Sequence, residues 1–270
     1  MKKKTWWKTL LAVIIALLHM IPIYITLVAS FTRQGDFRSY WLLPKKFFFE
    51  NYSIAVKTGG MMVAFQNTII ITFLSAILIV LIGAMAAYPL ARNRSKLNKK
   101  VITGILAVMM IPPLSLLVPL YSVMASLKAI STYWGIVIVQ VAFQLPLSIF
   151  LYTNFIKTIP IELDEAATLD GCSTYRIFYK IILPLLKPVT ATVIILTGVA
   201  VWNDYQFSLY FLQTPDKKVL TLAIYSFFGQ TGSNPNVAAA AAVIAILPIT
   251  ILYVFLQKYF VKGMVDSAIK

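Results

Sequence analysis

At 270 residues, 60% of them apolar and only 12% charged, the chain is set apart from ordinary soluble proteins, in which about 25% of residues are charged. The net charge of +15 is spread along the chain in short clusters beside apolar stretches, which argues against a nucleic-acid-binding protein, and a single cysteine, Cys172, excludes an internal disulfide. The apolar residues fall in blocks of about twenty, the length needed to cross a hydrocarbon core of roughly 30 Å. Six spans are predicted, in chain order: Thr9–Phe31, Val63–Leu90, Val101–Ala125, Tyr133–Ile156, Val189–Leu212 and Val237–Tyr259. Pro and Gly interrupt several of them, which embedded helices tolerate where neighbours satisfy the freed backbone groups.

The N-terminus mimics a secretory signal, with Lys2-Lys3-Lys4 ahead of an apolar run and Val28-Ala29-Ser30 behind it. The run exceeds the roughly 7–15 residues of a signal core, so a retained first helix is expected. His19 stands alone in that span and suits packing or a hydrogen bond better than a metal. The loop after it, residues 32–62, carries Tyr40, Trp41, Phe47, Phe48, Phe49 and Tyr52, which suit the membrane surface or a protein partner outside. Arg92, Arg94, Lys96, Lys99 and Lys100 cluster after the second span, and Lys157, Arg176, Lys180 and Lys187 follow the fourth. The positive-inside rule then puts both termini in the cytoplasm.

The most structured connection runs from Lys157 to Lys187. Pro160 suits a first helical position, and Glu162, Asp164 and Glu165 suit the positive end of a helix dipole. Gly171 suits a left-handed terminator. A helix over about 160–170, roughly 16 Å long, is expected, then a second from near Ser173 that stops before Pro184. Ile177, Phe178, Ile181 and Ile182 would give the second an apolar face.

Several chemistries find no motif. There is no Gly-x-x-x-x-Gly-Lys-Ser/Thr phosphate loop, no His-Glu-x-x-His and no Gly-x-Ser-x-Gly. Catalytic residues and a metal site are therefore not assigned, and the acids at 162–170 read as a solvated helix start or a docking face. Polar residues within the spans, Asn67, Gln140, Gln144, Asn154, Asn203 and Asp204, suit either interhelical hydrogen bonds or the lining of a pathway. Trp134, Trp202, Tyr205 and Tyr210 suit stacking on a ligand or interfacial belts.

Glu165-Ala166-Ala167, Asp170-Gly171, Phe178, Ile181, Leu183-Pro184 and Pro188 together resemble the EAA loop of ABC-importer permeases. Trp202-Asn203-Asp204, Leu247-Pro248 and the stretch Gln257–Met264 resemble its carbohydrate branch, the MalG-like subunits. The resemblance covers the whole chain. It implies an all-α membrane protein with the MetI-like permease fold, one permease domain over residues 1–270, in a prokaryotic cell membrane. It implies a carbohydrate importer, with raffinose-type or multiple-sugar substrates favoured. ATP and Mg would be used by a separate MalK-like ATPase dimer, with no cofactor bound by this chain. The pathway would be shared with a second, MalF-like permease, and a sugar-binding protein would deliver substrate outside. Glu162, Asp164, Glu165, Ala166, Ala167, Leu169, Asp170 and Gly171 would dock on the ATPase, with Ala166 and Ala167 permitting close approach. Asn67, Gln140, Gln144, Asn203 and Asp204 would line the pathway. The loop end Gly229, Gln230, Thr231, Gly232, Ser233 and Asn234 would touch the binding protein. An ABC permease for another solute, such as glycerol phosphate, and a self-sufficient secondary carrier are the alternatives.

Overall fold

The computed structural model describes residues 6–36, 39–58, 60–93, 95–228 and 234–268, with the backbone alone at 58 and 258–268. Every regular element among them is helical. In chain order the α-helices are α1 (Trp6–Ser30), α2 (Glu50–Thr58), α3 (Met61–Arg92), α4 (Lys96–Met109), α5 (Leu117–Ser126) and α6 (Tyr133–Ile156). Then come α7 (Glu162–Leu169), α8 (Thr174–Ile177), α9 (Leu183–Leu185), α10 (Lys187–Trp202), α11 (Gln206–Phe211), α12 (Leu220–Ser226) and α13 (Pro235–Ala268). α1, α3, α6 and the Pro235–Gln257 part of α13 are each long and apolar enough to cross a membrane. Two bent helix pairs, Lys96–Met109 with Pro113–Ser126 (93°) and Thr174–Leu185 with Lys187–Trp202 (74°), bring the total to six if each counts as one span.

The bends have local causes. Pro112 and Pro113 both lack an N–H, and Pro112 is extended at φ −61°, ψ 125°. α4 therefore ends in tight turns, Met110 N to Ala107 O and Ile111 N to Val108 O, before the chain restarts. At the second bend Pro188 falls in the first turn of α10, where its missing N–H has no ladder partner to lose. α10 itself stops at Trp202, and the predicted fifth span continues only after a break, as α11.

The chain forms two compact units, residues 1–65 with 220–248, and residues 66–219 with 249–270. In the first, the loop after α1 folds back on the end of that helix. Asn51 Nδ2 donates to Ser30 O (2.9 Å) and Thr32 O (2.8 Å), and the Phe31 ring packs on Phe47, Phe49 and Tyr52. Asn236 Nδ2 donates to Ala29 O at 2.9 Å. His19 Nδ1 lies 2.8 Å from Ile15 O, one turn back.

In the second unit α3 and α6 cross closely. A Cβ at Gly83 would overlap the Ser148 hydroxyl, which donates to Ile79 O at 3.1 Å. Small residues at a crossing let two backbones approach where lipid offers no hydrophobic drive. α6 and α10 are joined by Tyr152 OH to Thr190 Oγ1, 2.9 Å. The turn into α6 is tied to the segment after α11, with Ser131 N donating to Phe211 O (2.7 Å) and Ser131 Oγ accepting from Gln213 N (3.0 Å).

Asn67, 2% exposed, closes the same end of this unit. Its Nδ2 donates to Asp216 O (2.9 Å) and Lys218 O (2.8 Å), and its Oδ1 accepts from Tyr133 OH (2.6 Å). Asn67→Leu strands two carbonyls and a hydroxyl, at about 1–3 kcal/mol for each group left unsatisfied. Unfolding of the detergent-solubilised protein by SDS titration should show a loss well above that of Tyr133→Phe, which removes one bond worth about 1 kcal/mol.

Candidate functional site: the α7–α8 loop and its tether

α7 starts two residues later than Pro160 and spans eight residues, about 12 Å. Its start is set by Ile161, whose carbonyl accepts from Asp164 N (2.9 Å) and Glu165 N (3.1 Å). Its end follows from Gly171. That residue sits at φ +76°, with Gly171 N donating to Thr168 O and Cys172 N to Ala167 O, both 3.0 Å. This pair of bonds is a Schellman termination, which needs a left-handed residue at that position. Ser173 then caps α8, its hydroxyl accepting from Arg176 N.

The helical run does not stop before Pro184. Residues Phe178–Ile182 widen into a π-helical turn, with Leu183 N donating back to Phe178 O, and α9 carries the chain across Pro184. The wide turn places the proline in a first turn, so no α-ladder bond is broken. Ile177, Phe178 and Ile182 are buried, and the Phe178 ring lies 5.4 Å from that of Tyr88 on α3.

α3 holds the loop through two side chains, Arg92 and Tyr88. Arg92 Nη1 donates to Ile156 O (3.2 Å) and Ile159 O (2.9 Å), and Nη2 reaches Pro160 O (3.5 Å). Arg92 Nη2 also pairs with Asp164 Oδ2 at 2.8 Å, both side chains being nearly buried, and Tyr88 OH donates to Asp164 Oδ1 at 2.6 Å. Asp164 is thus the inner, tethered side of α7. Ala167, 5% exposed, faces the chain's own core, so its small size serves packing within the chain. Tyr88 and Arg92 were not separable in the sequence from an ordinary interfacial Tyr and a positive-inside cluster.

The outer side is different. Glu162, Glu165, Ala166 and Leu169, at i, i+3, i+4 and i+7, share one face of α7, and all are exposed. Leu169 is 90% exposed. Asp170 and Gly171 are exposed beside it.

The other predicted positions fall elsewhere. Gln140 and Asp204 meet. The Asp204 carboxylate takes a hydrogen bond from Gln140 and accepts from Phe207 N (3.2 Å), Ser208 N (2.8 Å) and Ser208 Oγ (2.7 Å). It therefore caps α11 across the break after α10. Gln144, one turn along α6 from Gln140, is half-buried, and Asn203 is exposed. Asn67 is committed to the contacts given above. Gly229, Gln230, Thr231, Gly232 and Ser233 lie outside the described residues. Asn234 donates to Gln34 Oε1 at 2.8 Å, within the first unit.

The chain was compared with known families, proteins and structures. Residues 79–266 match the family model described as the binding-protein-dependent transport system inner membrane component. The chain is 44% identical over 263 residues to the melibiose/raffinose/stachyose import permease protein MelC of Bacillus subtilis, covering 97% of this chain and 95% of that protein. It is 31% identical to the multiple sugar-binding transport system permease protein MsmG of Streptococcus mutans, covering 98% and 97%. Among solved structures, a chain of a bacterial ABC transporter that imports the acidic polysaccharide alginate aligns with a TM-score of 0.78 at 25% identity, covering 94% and 95%. A chain of the MetNI methionine ABC transporter shares the fold, with a TM-score of 0.60 at 19% identity over 73% of this chain and 93% of that one. Such permeases work with a partner permease, an ATPase and a binding protein, and are not themselves enzymes. An all-helical chain with a structured EAA loop between apolar helices, matched over most of its length, belongs to the binding-protein-dependent transport system inner membrane component family, the multi-pass permease subunits of bacterial ABC importers.

Proposed function

We propose that this chain is a pathway-forming subunit of an oligosaccharide importer, and that the outer face of α7 docks in a groove of its ATPase. The exposure of Leu169 carries the docking reading. An apolar side chain left 90% exposed on a polar loop suits an anchor for a partner's pocket, as in helix-in-groove recognition. Glu162 and Glu165 beside it call for a basic rim on that pocket. The Arg92–Asp164 pair makes the docked helix continuous with α3, so motion of the ATPase reaches a membrane helix directly. In this assembly the ATPase is a MalK-like dimer that uses ATP and Mg, and the second permease is MalF-like.

The names of the relatives support an oligosaccharide of the raffinose class as substrate. Gln144 and Asn203 are proposed as its polar contacts, next to the Gln140–Asp204 pair. Asn67 is proposed to shape the pathway by holding its surrounding backbone. Asn234 and its preceding loop are proposed to meet the sugar-binding protein.

Raffinose uptake and ATPase activity in proteoliposomes test the assignment. The complete complex should show both, and this chain alone neither; uptake by the single subunit would restore the secondary-carrier reading.

Two variant classes separate docking from tethering. Leu169→Glu should release the ATPase from the purified complex while both permeases remain paired. Gly171→Val should act likewise. A Cβ there meets nothing within 4 Å, so only the positive φ is strained, at about 1–3 kcal/mol. Asp164→Ala should instead keep the ATPase bound and lower sugar-stimulated hydrolysis several-fold. ATPase stoichiometry and stimulated turnover are the measurements, and unchanged values in all three variants would remove α7 as the coupling element.

A further inference from the structure

α4 and α6 run beside one another, and their facing surfaces carry the same order of chemistry from end to end. Lys99, near the start of α4, and Lys157, at the end of α6, line one recess of about 580 Å³ together with Arg92. Glu162 is the one acid among the lining residues. Neither lysine has a carboxylate partner among the described residues. A narrower groove of about 230 Å³ continues from this recess, sharing Ile102 and Lys157 with it.

The groove is apolar where it runs deeper. Ile102, Ile105 and Leu106 follow Lys99 along one face of α4, at spacings of three and four. Ile149 and Phe150 precede Lys157 along the facing side of α6. Between them on α6, one turn from Lys157, sits Thr153, 3% exposed and with its Oγ1 enclosed, so the wall of the groove is closed there.

Cations at one end and branched apolar side chains beyond repeat the order of phosphate and acyl chain. We propose that the α4–α6 groove binds an anionic phospholipid, such as phosphatidylglycerol. The phosphate sits between Lys99 and Lys157, and one acyl chain lies along the apolar groove. Basic recesses at helix ends on the cytoplasmic side suit such headgroups, where lysines near the surface each add to the attraction. The recess is also lined by Ile159, Pro160 and Ile161, so the lipid borders the entry to α7.

The test uses the complete importer purified in detergent and read by native mass spectrometry with added phosphatidylglycerol or phosphatidylcholine. Its readout is lipid retention, independent of ATPase binding and of sugar transport. Wild type should retain phosphatidylglycerol over phosphatidylcholine by about tenfold or more, the scale set by two juxtaposed lysines. Lys99→Gln with Lys157→Gln should abolish the preference. Equal retention by wild type and the lysine variant would overturn the proposal, as would loss of all lipid because the second permease covers the groove. Displacement of phosphatidylglycerol by millimolar inorganic phosphate would also overturn it, by identifying a free-anion site.

Discussion

In a hydrocarbon layer no water is present to satisfy an interrupted backbone, and this structure interrupts its helices repeatedly. Several of these breaks are closed by a polar side chain that reaches the orphaned groups. Asn67 takes two carbonyls near the end of the α11–α12 connection, Asp204 takes two N–H groups of α11, and Arg92 takes carbonyls at the end of α6. In the first unit Asn51 and Asn236 do the same for the end of α1. The few polar residues in the apolar stretches are therefore spent largely on backbone, which sets how many remain to meet a polar substrate.

That requirement explains what the sequence conveys and what it withholds. Apolar blocks of membrane length, and the acids and glycine that bound α7, are local signals set by the period and ends of helices. They are legible at Glu162 and Gly171 without knowledge of any contact. The breaks are half legible. Pro112-Pro113 announces one, whereas the interruption after Trp202 has no proline and depends on Asp204 turning back onto Ser208. The tether was not legible. Arg92 and Asp164 are 72 positions apart, and each has a sufficient local reason to be where it is. Only packing of α3 against the loop turns them into a pair.

The division of α7 into two sides follows from that pair. Asp164 and Ala167 hold the helix down, and the opposite face is left with glutamates around a single leucine. Eight residues are too few to be stable as an isolated helix. The ion pair, the Tyr88 hydrogen bond and the glycine termination supply from outside what length does not.

The wide turn at Phe178–Ile182 has a geometric consequence. Each residue of an α-helix advances the chain by about 100° around its axis, and a π turn holds one residue more than an α turn. That extra residue acts as a phase setting between α8 and α10. It fixes the azimuth at which Tyr175 and Arg176 point while Phe178 stays against Tyr88. A chain shortened by one residue here would keep its hydrophobicity and its motif residues, yet present a different face of α8. The orientation of the loop is thus stored in a residue count, where no inspection of side-chain types would find it.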